Sequence, residues 1–177
     1  MKRRLSAFAS GLLWSATAWG LDAESARLAG RYEALLESNP SQATAFERLW
    51  KIYADSGETA ILAQRARDRA GDHPALSAKI LLRAGYPDEA EALLKKASGA
   101  GVRAAAEMYA GILEARGETA AAAQVLEDGG GKDPGALVRA GGLWQKSGEA
   151  GRARTAWEAA LALAPHDLAL RQKLAAA

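Results

Sequence analysis

Apolar and small side chains recur at i, i+3, i+4 and i+7 along most of this chain, the spacing that lines one face of an α-helix. Phe46, Leu49, Trp50 and Tyr53 follow it, and so do Leu137, Ala140, Gly141 and Trp144. Each helical run stops near a glycine, and the four glycines Gly57, Gly85, Gly117 and Gly148 lie 28, 32 and 31 residues apart. A second run follows each one, carrying Ala90, Leu94 and Ala97, then Ala122 and Leu126, then Ala153, Trp157 and Ala160. Glycine provides the left-handed turn that ends a helix. Proline, found at Pro40, Pro74, Pro134 and Pro165, is accepted in the first turn of a helix but not in its interior. Self-similarity at about 30 to 35 residues marks a repeat array, in which one hairpin cannot bury its apolar face alone and stacks on its neighbours.

The pattern therefore predicts an all-α fold, an α-solenoid of about four helical hairpins over residues 41–73, 74–100, 101–133 and 134–165. A lone packing helix over Asp22–Glu37 precedes them, and a capping helix within 166–177 closes the array. Asp167 is expected to cap that last helix, with Leu168, Leu170 and Leu174 facing the array and Arg171, Gln172 and Lys173 facing water. Two departures stand out. Leu62 occupies a position where the other copies have alanine, which predicts a slightly splayed first hairpin, and the first helix of the second unit, about Pro74 to Ala84, is short. The glycine-rich stretch Glu127–Gly135 and the stretch Ala97–Gly101 are expected to be flexible connections.

These spacings resemble the tetratricopeptide repeat. In the last copy, Leu137, Ala140, Gly141 and Trp144 match the first-helix pattern, and Ala153, Trp157, Ala160 and Pro165 match the second. The resemblance spans about residues 22–165. It implies that the first helix of each hairpin lines a concave groove whose outward positions recognise an extended peptide or another protein's helix. By register those positions are Glu47, Lys51 and Asp55 in the first unit, Lys79 and Arg83 in the second, Glu107 and Glu114 in the third, and Arg139, Gln145 and Lys146 in the fourth. Lys79, Arg83, Arg139 and Lys146 are the candidates to hold an acidic group or a terminal carboxylate. A competing reading is a solvated helix face with i to i+4 pairs such as Glu47 with Lys51. Gly111 and Gly142 fall near the groove, where they serve either helix packing or close approach of a ligand backbone. The Lys, Arg and Asn clamp of some family members has no counterpart, because the single asparagine, Asn39, lies away from these positions.

The first twenty residues change the picture of charge and location. Lys2, Arg3 and Arg4 precede sixteen uncharged residues, Leu5 to Gly20, with small residues at Ala16 and Ala18. This is the plan of a signal peptide over residues 1–20, with a membrane anchor as the alternative, and it places the protein in the periplasm or outside the cell. Contact with a membrane would then run only through an uncleaved leader. With those three cations set aside, twenty bases face 21 acids. No basic footprint for nucleic acid remains. The absence of cysteine excludes disulfides, thiol catalysis and zinc ribbons.

Nothing in the sequence points to catalysis or to a cofactor. Gly131-Lys132 lacks the upstream glycine and the following Ser or Thr of a phosphate loop, since Leu126 and Asp133 stand there. His73 and His166 sit beside prolines in corresponding turns and predict no metal site. The expected function is a non-enzymatic adaptor of the periplasm or envelope that binds a protein or peptide partner. A self-assembling repeat protein and an accessory subunit of an envelope enzyme or export complex are the alternatives. Trp157 is expected to be buried between hairpins.

Overall fold

The computed structural model describes residues 20–130 and 133–176; the signal peptide expected over residues 1–20 falls almost wholly outside the described residues. The fold is all-helical, and among the described residues ten helices follow one another without a strand. They are α1 (Ala23–Ser38), α2 (Ala43–Asp55), α3 (Thr59–Asp68), α4 (Pro74–Arg83), α5 (Pro87–Gly99), α6 (Arg103–Ala115), α7 (Thr119–Gly130), α8 (Pro134–Lys146), α9 (Ala150–Leu163) and α10 (Leu168–Ala176). Consecutive helices pack together, and α4 also meets α6 while α5 meets α7.

One backbone device ends the helices that turn on glycine. Gly57, Gly85, Gly117 and Gly148 have φ of 74°, 87°, 81° and 86°, the left-handed region that glycine enters without a Cβ penalty. After each one, the next N–H reaches back to the carbonyl of the last core residue: Glu58 to Tyr53 at 2.7 Å, Tyr86 to Leu81 at 2.9 Å, Glu118 to Leu113 at 2.9 Å and Glu149 to Trp144 at 2.8 Å. The glycine N–H bonds three residues back, completing a Schellman cap. Gly101, with φ of 80°, repeats it, and Val102 donates to Ala97 at 3.0 Å. The Ala97–Gly101 joint is therefore closed by hydrogen bonds; the expectation of a flexible connection is corrected.

The part of the glycine-rich stretch from Glu127 to Gly130 is helix rather than a flexible connection; Gly131 and Lys132 lie outside the described residues. Helix α7 continues through Gly130, and the Asp133 carboxylate accepts from the Ala136 N–H at 2.8 Å at the start of α8. Gly129 and Gly130 are buried. A Cβ on Gly129 would lie 2.4 Å from the Ala106 Cβ, and one on Gly130 would lie 2.5 Å from that of Ala136. These glycines let α7 approach its neighbours; their composition looks like a loop, but their role is contact.

The core seam repeats a pair of small residues. Seven positions before each turn glycine stand Ala78, Ala110 and Gly141, and five after it stand Ala90, Ala122 and Ala153, all buried. Small against small lets two helix axes approach to about 8 to 10 Å. The first hairpin has Trp50 and Leu62 in those places, and α2 and α3 make the sparsest contact of the four hairpins. The sparse contact agrees with the expected splay, and Trp50 as well as Leu62 is a large residue at the seam.

At the C-terminal end, the Asp167 carboxylate accepts from the Leu170 N–H at 3.0 Å, as the cap requires. Leu170 is 3% exposed, but Leu168 is 70% exposed and faces water rather than the array, which corrects the expectation for that residue. Lys173 is exposed, as expected, and its ammonium lies 4.9 Å from the centre of the Trp157 ring.

Candidate functional site

The outward residues expected on the first helices of the hairpins lie on α2, α4, α6 and α8, and several of them meet across adjacent first helices. Glu47 on α2 faces Arg83 on α4 at 3.7 Å, and Glu114 on α6 pairs with Arg139 on α8. Lys51 does not pair with Glu47; it bonds Asp55 at 2.8 Å within α2. Glu107 meets Arg103 at 3.8 Å, one turn back on α6, while the Arg103 guanidinium also donates to Asp133 at 3.1 Å. Gln145 and Lys146 are exposed at the end of α8, and among the described residues no acid forms an ion pair with Lys146.

The α2–α4 part of this face rests on two aromatics, the buried Phe46 and the half-buried Trp50. Phe46 and Trp50 stand one turn apart on α2, and Lys79 and Arg83 stand one turn apart on α4. The Lys79 ammonium lies 4.5 Å from the Phe46 ring centre, and the Arg83 guanidinium lies 5.5 Å from that of Trp50. Both distances are within the range of cation–π attraction. Lys79 also donates to the Pro40 carbonyl at 2.9 Å, and its partial burial pushes its ammonium below the usual lysine range, with Glu47 opposing that shift. Of the four cations expected to hold a carboxylate, Lys79, Arg83 and Arg139 are thus already engaged within the molecule. The signal for Trp50 was in the sequence: a tryptophan at the position that is Ala or Gly in the other three hairpins.

A cleft of about 480 Å³ opens between the end of α1 and the starts of α4 and α6, lined among others by Ser38, Pro40, Asp72, Ala75, Arg103 and Glu107. It joins the loop after α1 to the first turns of α4 and α6, and Glu107 is the one expected groove residue on its wall. Gly111 and Gly142 have nothing within 4 Å of the place a Cβ would occupy, so helix packing is not what requires them to be glycine. His73 precedes α4 and lies 3.8 Å from Glu37, and His166 is exposed in the turn before α10.

No protein-family model and no curated protein matches the chain. Among the described residues no three His, Asp or Glu side chains converge as metal ligands, and no helix is long and apolar enough to cross a membrane.

Ion pairs also tie α5 to α3 before it and to the end of α6 after it in the chain. Arg67 on α3 grips Glu89 on α5 through two bonds of 2.7 and 2.9 Å, and Arg116, just past α6, grips Glu91 on α5. These guanidinium bonds hold the Glu89 and Glu91 carboxyls below their ordinary value of 4.5, against a smaller opposing effect of desolvation. A folded-state value below the unfolded one means that the pairs stabilise the fold above the ordinary carboxylate range and that this contribution disappears as acid protonates them. The pairs are solvent-accessible, so the effect is small. In thermal melts from neutral pH downward, Glu89→Gln and Glu91→Gln are expected to melt below the parent at neutral pH and to converge with it in acid. A gap that persists when both carboxylates are protonated would show that the ion pairs are not its source.

Proposed function

We propose that the chain is an exported helical-repeat adaptor, an α-solenoid resembling a tetratricopeptide array, which holds a protein or peptide partner on the face formed by α2, α4, α6 and α8 and performs no chemistry on it. The observation that carries this reading is that the outward side chains of these helices engage one another from one first helix to the next, Glu47 with Arg83 and Glu114 with Arg139. These pairs place α2 beside α4 and α6 beside α8, and α4 packs on α6 between them. Repeated Schellman caps and small-residue seams support the repeat reading, since both recur at the same register in successive hairpins. On this reading the partner meets side chains of both signs that are already paired, so recognition works by exchange of ion-pair partners and favours geometry over net charge. The exposed Leu168 at the far end favours end-to-end self-association as a second reading. Light scattering on concentrated protein tests it, because a chain that stays monomeric removes it.

Position-specific photo-crosslinking tests the adaptor reading. A crosslinking amino acid at Glu47, Gln145 or Lys146 is expected to capture the same partner from native envelope extracts, whereas one at Arg154 on α9 captures none. Equal capture from both faces, or capture only from Arg154, would refute the assignment of the face.

A further inference from the structure

Helix α1 is held by a buried carboxylate as well as by apolar packing. It buries only two apolar side chains completely, Ala29 at 1% and Leu36 at 0% exposure, yet it also buries the carboxylate of Glu33, whose residue is 7% exposed. Three donors from the hairpin behind it converge on that carboxylate. Arg65 bonds it at 2.9 Å, Arg69 at 3.3 Å and the Tyr53 hydroxyl at 3.4 Å. Arg65 also donates to the Tyr53 hydroxyl, which fixes the guanidinium in place. One turn further along α1, Glu37 takes a second bond from Arg69 and faces His73 at 3.8 Å. The apolar packing beneath is incomplete: a cavity of about 20 Å³ remains between Glu33, Leu62, Ala66, Leu76 and Ile80, room for about one water molecule.

We infer that the α2–α3 surface beneath α1 is a receptor for an acidic amphipathic helix, that α1 occupies it as an internal stand-in, and that a partner's helix of the same chemistry binds by displacing α1. Two guanidiniums and a phenol hydroxyl fixed around one carboxylate form a charge-assisted site with a defined geometry. The element that fills it presents Glu33, Leu36 and Glu37, two carboxylates one turn apart with a leucine between them. Charge complementarity and this spacing together describe the partner: a helix carrying Glu, then Leu three residues on, then Glu. A terminal helix with substantial packing on one neighbour, α2, over an imperfectly filled floor is the kind of contact that opens locally at the low end of the stability range. The inference concerns the end of the array and does not depend on the first-helix face.

The test uses the full chain and, as probe, a fluorescein-labelled synthetic peptide of residues 22–39. In the Glu33→Gln/Glu37→Gln protein the internal helix competes less well, so the probe is expected to bind that variant at least about tenfold more tightly than it binds the parent. A probe carrying the same two Glu→Gln changes is expected to bind the variant about tenfold more weakly than the acidic probe. Equal affinity of the two probes, equal affinity for the two proteins, or no binding to either would overturn the proposal. A measurement on the parent alone guards against a variant that does not fold: saturating acidic probe should accelerate amide hydrogen exchange within Ala23–Ser38, and unchanged exchange there would overturn the proposal equally. A concentration-dependent dimer of the parent that the probe dissociates would identify the occupant as α1 of a second copy and so overturn the assignment to a different partner.

Discussion

Replacing Trp157 by alanine is expected to destabilise the protein by about 3 to 5 kcal/mol, the range for emptying a fully buried aromatic site. Trp157 is 1% exposed, its indole N–H donates to the Val138 carbonyl at 3.2 Å, and its ring fills the space over Gly141. Loss of the ring therefore empties the α8–α9 seam and leaves one carbonyl with a weaker partner. For a chain of this length, each kcal/mol moves the melting temperature by about 2 to 4 °C, so a drop of roughly 10 °C is expected by calorimetry or circular dichroism. Gly141→Ala sharpens the test. In the parent its Cβ would stand 2.2 Å from the indole nitrogen, a rigid ring atom that cannot swing aside. In the Trp157→Ala background the obstruction is gone and the helix gains about 1 kcal/mol from replacing an interior glycine. A double-mutant cycle should thus show strong coupling, and additive effects would contradict the packing of ring on glycine.

Gly129→Leu is expected to cost about 1 to 3 kcal/mol or more, because a larger side chain must force α7 away from α6. The Cβ alone would meet the Ala106 Cβ at 2.4 Å and the Ser98 carbonyl at 3.3 Å. Gly142→Leu provides the contrast. It lies in a helix with open space where its Cβ would go, so urea unfolding should show it to be neutral or slightly stabilising. If Gly129→Leu were as harmless as Gly142→Leu, the end of α7 would not be packed as described.

The contrast between these glycines explains how far the sequence could be read. The four turn glycines were legible because a left-handed residue leaves the same mark each time: a core residue four positions before, a bare backbone position, and a new helix after. Gly129 and Gly130 were not, because local composition cannot separate a glycine that frees the chain from one that admits a neighbour; Ala106 and Ala136, which decide the matter, are 23 and 6 residues away. The same limit applies to charge. Short-range spacing suggested Glu47 with Lys51, but Glu47 turned instead to Arg83, 36 positions along the chain, and only the placement of α4 beside α2 brings the two together. The sparse packing of the first hairpin lies between these cases. Leu62 alone hinted at it, while Trp50 became interpretable once its register matched Ala78, Ala110 and Gly141.

Every substantial helix contact joins an element to the next or next-but-one in the chain. No strand or distant segment has to return before the described core can close, so loops are short and the search for partners is local, the topology associated with folding in microseconds to milliseconds. A nascent chain can therefore complete α2 and α3 before α8 and α9 have been synthesised. The tight small-residue seams that would hold such an intermediate most firmly come later in the sequence than the loosely packed pair at its start.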